Sequence, residues 1–477
     1  MDSSDSKTWL ETLHGWYRGT LYQAIVLGLI SFSQPGIWNA LSSMGAGGLA
    51  SPFFVNAANV ITYVIMVLFC PVFSVIGNRF SLKWILVFGT VGYLPYFAAL
   101  YCNSVYGTRW FLIFGAVTCG FSAAALWTSE AAIAVAYPED NRRGLYIGIW
   151  MAIGLVGTLI GSSIQLALNI DDSEQGSLST NSYLVMIGLS CMGLPLALTI
   201  SPPEKLRRTD GTKPTFSNGA ARMPLRQSVG GLWHALGSKH ILLLLPIFIT
   251  VRWSTTYQGN YLTAYFSVRG RSLAGFVQTV CGIIATVGWG RLLDSQTIFR
   301  SKRSLCNVGW YSMLAVFVVQ WIFNFYMQAE LQSRSPSPVL DIFSADYAKA
   351  VVAYCLFGIS ANASVVWTYW ILSMYNSDMD RLSHTSGILR SAESLGFACA
   401  YGIGSKESVS LMTNLAVSFA VFAAAVPFTC YVAWKGKALE ETSATPGDRE
   451  EDSEGNLYTD PRDEAAKVPG TTTIVSA

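Results

Sequence analysis

Four ionisable side chains stand inside stretches that are otherwise apolar: Glu130, Arg252, Arg390 and Glu393. A charge placed in hydrocarbon is costly unless it is paired, hydrated or bound to a ligand, so such residues mark pathways, relays or counter-ions. The chemistry they offer is binding and proton exchange rather than bond making. Arg390 and Glu393 are three residues apart, on neighbouring faces of one helix, where they either neutralise each other or serve a gating or coupling step. Arg252 has no acidic residue in its own stretch. It needs a carboxylate, carbonyl groups, water or an anionic ligand from elsewhere, which makes it the leading substrate-facing or coupling charge. Glu130 falls near the depth of Arg79, and an ion pair between them would be a closing latch. A proton-carrying role for Glu130 is the alternative.

Uncharged polar groups and helix breakers support a cavity. The first apolar stretch carries Gln34-Pro35-Gly36-Ile37-Trp38-Asn39, and the seventh carries Tyr257-Gln258-Gly259-Asn260. Interruptions at corresponding places in two halves point to a transport site. Backbone groups freed by a break are tolerated in a bilayer where protein or water meets them. Gln34, Asn39, Arg252, Gln258 and Asn260 are therefore the substrate-cavity candidates, with Trp127, Trp253, Trp367 and Tyr369 as candidate aromatic walls.

The elements that must position these groups are membrane helices. The 477 residues are 52% hydrophobic and 13% charged, with mean hydropathy +0.39, against about 25% charged in soluble chains. Twelve apolar stretches can be placed: 20–43, 53–75, 84–102, 109–134, 145–168, 182–201, 240–266, 273–293, 306–328, 346–373, 383–405 and 412–434. Each is near the ~20 residues that cross a bilayer. The fold class is thus all-α transmembrane, with two six-span bundles over 20–201 and 240–434. A short segment, 1–19, precedes them, a basic Pro/Gly/Ser-rich linker over 202–239 joins them, and an acidic tail over 435–477 reads as disordered. In span 5, Gly144, Gly148, Gly154, Gly157 and Gly161 recur at helical spacing, which predicts close backbone approach to a partner helix.

Basic residues set the expected orientation. With the N-terminus cytosolic, 23 Lys and Arg fall on the inner side and 5 on the outer; setting aside the linker and tail, 11 face 5. This bias places both termini in the cytosol. The 267–272 loop, with Arg269 and Arg271 and no acid, resists it.

After span 2 the chain reads Ser74-Val75-Ile76-Gly77-Asn78-Arg79-Phe80-Ser81-Leu82-Lys83, and after span 8 Gly290-Arg291-Leu292-Leu293-Asp294. These resemble the loops after spans 2 and 8 of the major facilitator superfamily, whose pattern is Gly-x-x-x-Asp-Arg-x-Gly-Arg-Lys. Arg79 and Lys83 match in the first copy; Ser74, Asn78, Ser81 and Leu82 depart from it. The second copy keeps Gly-x-x-x-Asp. The resemblance implies a major-facilitator-type bundle of twelve helices in two pseudo-symmetric halves, with Arg79, Lys83 and Asp294 in the conformational latch. Tyr257-Gln258-Gly259-Asn260, Phe266-Ser267-Val268-Arg269-Gly270-Arg271, Ser129-Glu130 and Tyr137-Pro138-Glu139 are similar to the UNC-ninety-three-like branch, especially its fungal members. On that branch's pattern Arg269 and Arg271 take a local structural role.

The resemblance implies a transporter of a small solute working by alternating access, with a midplane cavity lined by spans 1, 4, 7 and 10. Its competitor is an accessory protein that regulates or escorts another membrane protein, a channel or receptor, since members of the branch are credited with such roles. Expected partners are the lipid bilayer and a small molecule or membrane protein. The near-neutral charge of +2 argues against nucleic acid. No phosphate loop, GxSxG or HExxH spacing occurs, so neither an enzyme nor a nucleotide-driven pump is expected. The nine cysteines form no CxxC pair, and no metal or other cofactor is called for. His14, His234, His240 and His384 all fall near one membrane edge, and His240 and His384 read as interfacial.

Overall fold

A computed structural model describes residues 16–45, 47, 49, 51–139, 143–171, 173–211, 224–294, 302–375 and 379–435. Residues 1–15 of the N-terminal segment, 212–223 of the linker and nearly all of the expected tail lie outside these. Among the described residues there is no strand, and twelve helical segments occupy the twelve apolar stretches. They are α1 Thr20–Ser42, α2 Pro52–Arg79, α3 Leu82–Tyr106, α4 Arg109–Ala136, α5 Arg143–Leu168, α6 Thr180–Thr199, α7 Lys239–Tyr265, α8 Val268–Asp294, α9 Lys302–Gln332, α10 Tyr347–Tyr375, α11 Met379–Gly404 and α12 Leu411–Lys435. Ten are long and apolar enough on their own to cross a bilayer, and α7 joins them when taken with the short helix Leu225–Gly237 before it. The exception is α11, whose Asp380, Arg381, Arg390 and Glu393 dilute its apolar character. It packs on α2, α4, α7 and the short helix Leu225–Gly237, with Leu395 and Cys399 left exposed.

Two hydrophobic cores form, one almost wholly from α1–α6 and one from α7–α12. In the first, α1 and α5 approach closely. Pro35 has no N–H to donate, so the helix widens into a π-turn over Phe32–Gly36. That turn presses on the glycine stripe of α5: a Cβ at Gly157 would lie 2.7 Å from the Phe32 backbone, and one at Gly161 2.6 Å from the Ala40 Cβ. The predicted packing role of the stripe is seen at Gly154, Gly157 and Gly161. Gly148 has nothing near it.

The halves meet along α2–α11 and α5–α8. The end of the bundle that carries Thr20 and Lys435 is called here the terminal face. The linker supplies the short helix Leu225–Gly237, set at 75° to α7. It packs on α2 and α11 at the terminal face. Ser228 of this helix and Ser74 and Asn78 of α2 surround His384 of α11, at 3.4, 3.2 and 3.4 Å. His384 is 2% exposed. It is a buried seam residue, not an interfacial one, because the linker helix covers it.

At the opposite face Asn56 of α2 donates to Asn260 Oδ1 of α7 (2.9 Å) and to the Gly404 carbonyl of α11 (3.1 Å). The α5–α6 loop docks on the other half there: Gln175 donates to the Ala264 carbonyl (3.0 Å) and the Val268 N–H to that of Glu174 (2.8 Å). Inter-half contacts therefore bracket the middle of the molecule from both ends.

Candidate functional site

Between these two closures lies a cavity of about 210 Å³. Its wall comes from both halves. Trp38 and Asn39 (α1), Tyr63 (α2), Tyr93 (α3), Trp127 (α4) and Thr158 (α5) face Arg252 and Gln258 (α7), Gln278 (α8), Tyr354 and Asn362 (α10), and Arg390, Glu393 and Phe397 (α11). The expected lining by α1, α4, α7 and α10 is present, widened by α2, α3, α5, α8 and α11.

The charges of the cavity meet at Glu393. Arg390 Nη1 donates to Glu393 Oε2 at 2.6 Å, one helical turn along α11. Arg252 Nε stands 4.0 Å from the other oxygen, reaching it from α7. The Arg390 guanidinium also lies 4.1 Å from the Trp127 ring centroid and 5.4 Å from that of Tyr369. An aromatic face under a desolvated cation is worth up to about 2 kcal/mol. Trp127 comes from the other half, so this contact ties the halves together at the site. Arg390 Nε has no hydrogen-bond partner.

Uncharged polar groups continue the wall. Gln278 donates to Gln258 Oε1 (2.8 Å) and to the Tyr354 carbonyl (3.2 Å). Gln258 donates to Ser254 (3.1 Å), and Tyr354 to the carbonyl of Ser43, just past the end of α1 (2.9 Å). Tyr63 stacks on Phe397 with centroids 4.3 Å apart.

Of the sequence candidates, Asn39, Arg252 and Gln258 line this cavity, and Arg390 and Glu393, expected in gating or coupling, line it with them. Gln34 does not line it. It is fully buried and donates to the Ser190 carbonyl of α6 at 2.8 Å, because the widened turn at Pro35 aims it away from the seam. Asn260 belongs to the opposite-face closure, donating to the Gly404 carbonyl at 3.1 Å. Trp367 is likewise in the second core, against Trp310.

The Arg79–Glu130 latch is not formed. Arg79 is exposed, 6.0 Å from the Phe80 ring. Glu130 is fully buried six residues from the end of α4, about 9 Å deeper at 1.5 Å per residue. It accepts from Ser31 at 2.8 Å, and Ser31 accepts from Trp150 at 2.7 Å; the second Glu130 oxygen has no partner. Lys83 reaches the Leu198 carbonyl at 2.9 Å, tying α3 to α6. Asp294 ends α8, and its side chain lies outside the described residues. Sequence reasoning missed Tyr63, Gln278, Asn362 and Phe397. Gln278 and Asn362 carried a readable signal, polar amides inside apolar helices.

The awkward arginines at the start of α8 are consumed by structure. Arg269 grips Asp341 through two nitrogens, joined by Ser267 at 2.8 Å, and Arg271 donates to the Gly176 carbonyl of the α5–α6 loop. Hydrogen bonding from Arg269 holds the Asp341 carboxyl down at about 2. On the terminal face, Glu139 accepts from Thr20 (3.1 Å) and from the Thr209 N–H (2.8 Å) and hydroxyl (3.1 Å). Burial pushes its acidity the other way, but these bonds together win and its pKa falls.

The fold and the charged cavity on its seam define a polytopic helical membrane protein built as two facing six-helix bundles. Residues 20–401 match the Major Facilitator Superfamily, and the chain belongs to it. Within the superfamily it belongs to the UNC-93-like branch. It is 29% identical over 425 residues to an UNC93-like protein of Schizosaccharomyces pombe, covering 88% of this chain and 83% of that one. It is 26% identical to UNC93-like protein 1 of Arabidopsis thaliana, over 86% and 89% of the two chains. It is also 31% identical over 424 residues to the notoamide biosynthesis cluster protein O' of Aspergillus versicolor, over 89% and 91%. Among solved structures, the Escherichia coli xylose transporter XylE superposes with TM-score 0.58 at 13% identity, covering 88% of this chain and 99% of that one. The fucose:proton symporter FucP of the same organism gives 0.55 at 12%, over 86% and 98%. At these identities the two structures speak for the fold.

Proposed function

We propose that this protein is a secondary-active or facilitative transporter that carries a small solute by alternating access, with both termini cytosolic. The observation that carries the reading is a cavity that neither half completes. Arg252, Arg390 and Glu393 come from the second half, and Trp127, Trp38 and Tyr63 close over them from the first. A site shared this way changes its access when the halves rock. Asn56, Asn260 and Gly404 form the opposite-face gate; His384, Ser74, Asn78 and Ser228 form the terminal-face gate. Glu130 is the candidate coupling group, buried beside α1 and α5 with one carboxylate oxygen left over. Arg79, Lys83 and Asp294 keep a supporting conformational role at the terminal face.

The test is flux in proteoliposomes across a panel of small solutes, with Arg252→Ala and Glu130→Gln beside wild type. Saturable uptake that Arg252→Ala abolishes supports the proposal. A silent wild-type protein that co-purifies stoichiometrically with another membrane protein rejects it in favour of an accessory role.

A further inference from the structure

The charges in the cavity wall do not balance. Two guanidinium groups, Arg252 and Arg390, open onto it, and one carboxylate, Glu393, stands between them. The remaining ionisable side chains of the wall are phenols and a thiol, which are neutral at physiological pH. Glu130 is not part of the wall; it sits behind it, bonded to Ser31. The cavity wall therefore carries a surplus of one positive charge among mixed polar and aromatic side chains.

Several facts locate that surplus. Arg390 gives Nη1 to Glu393, is 9% exposed and keeps Nε without a partner. Arg252 touches Glu393 at 4.0 Å, the edge of an ion pair, and its side chain is 33% exposed. That exposure is toward the cavity, whose wall it forms. A guanidinium is a planar fork suited to a carboxylate or similar oxyanion. A guanidinium that shares its carboxylate and is only partly hydrated is incompletely compensated, and a bound anion would complete the pairing. Around the two arginines the wall is aromatic, with Trp38, Tyr63 and Phe397, and beyond them the amides Gln258 and Gln278 offer hydrogen bonds. We infer that the cavity takes an organic monoanion: an oxyanion head on Arg252 and Arg390, carried on a flat apolar or aromatic body. This rests on the proposed transport reading for its biological role but not for its chemistry.

The test is equilibrium binding by the purified full-length protein in neutral detergent. Benzoate, phenylacetate and indole-3-acetate are titrated, each beside its neutral amide, while unfolding temperature and tryptophan fluorescence are followed. At least one acid should raise the unfolding temperature saturably, and its amide should not. Arg252→Gln should weaken that binding about tenfold. Glu393→Gln, which removes the competing carboxylate, should tighten it. Opposed signs separate the electrostatic effect from a folding defect, which would weaken both. Amides that bind as well as the acids, three acids that all fail, or two variants that shift affinity in the same direction would overturn the inference. Acid binding without flux would keep the anion site and remove the transport reading. Flux of a neutral solute indifferent to the acids would do the reverse.

Discussion

Two sets of arginines in the second half carry the same side chain under opposite terms. At the opposite face, Arg269 is matched by Asp341 and Arg271 by the Gly176 carbonyl. Nearby Arg334 is matched by Glu330 and Asp346, at 2.5 and 2.8 Å. In the cavity, Arg252 and Arg390 share the single carboxylate of Glu393. Arg269 and Arg334 close their own books within the fold, and Arg271, shut in at 2% exposure with only the Gly176 carbonyl and an unpartnered Nε, serves packing alone; the cavity pair leaves capacity over where a solute can reach it. A matched cation serves architecture, and one that shares its carboxylate on a cavity wall is set to meet something that arrives.

Of the substitutions that separate the two sets, Arg390→Ala should have the largest effect. It strips Glu393 of its close partner and Trp127 of its cation, and breaking a buried pair of this kind costs about 3–5 kcal/mol. Uptake should vanish and the unfolding temperature should fall. Wild-type uptake in that variant would remove Arg390 from the site. Next comes Gly157→Val in α5, whose branched side chain would drive into the Phe32 backbone. Overpacking there should cost about 1–3 kcal/mol, measured as lower thermal stability, and an unchanged unfolding temperature would mean that α1 and α5 do not touch as described.

Asp341→Asn is a smaller change outside the cavity. Its carboxyl sits at about 2 when folded against an ordinary 3.8. The stabilisation is thus full above about pH 4 and is lost as pH falls through about 2. Asp341→Asn should flatten the loss of stability across that window while leaving ligand affinity at neutral pH within about twofold. A tenfold change in affinity would contradict the division between the two arginine sets. The smallest effect expected is a coupling energy between Arg79→Ala and Glu130→Gln. A double-mutant cycle should find them additive within about 0.5 kcal/mol, since Glu130 lies about two turns deeper than the helix end where Arg79 stands.

Much of this was legible in the residues. Apolar length located the twelve helices even where Pro, Gly or charged residues interrupt it, as in α1, α7 and α11, and the cost of charge in hydrocarbon singled out Arg252, Arg390 and Glu393. Facing was harder. Gln258 and Asn260 are two residues apart, so at about 100° per residue they point to nearly opposite sides of α7. That could have been read, and it would have sent Asn260 to the α2–α11 seam. Gln34 could not be placed this way, because the π-turn at Pro35 breaks the regular period. His384 was misassigned for a different reason. Its cover is the helix Leu225–Gly237, short and amphipathic within a polar linker, which a search for spanning segments passes over.

The most direct test sets the two kinds of arginine against each other in one assay. Uptake per folded molecule is measured for wild type, Arg252→Gln and Arg269→Gln, with thermal stability recorded on the same preparations. Arg252→Gln should lose uptake while unfolding near the wild-type temperature, whereas Arg269→Gln should unfold earlier yet carry solute normally. Loss of uptake in both in proportion to stability, or normal uptake in Arg252→Gln, would contradict the division between the two sets.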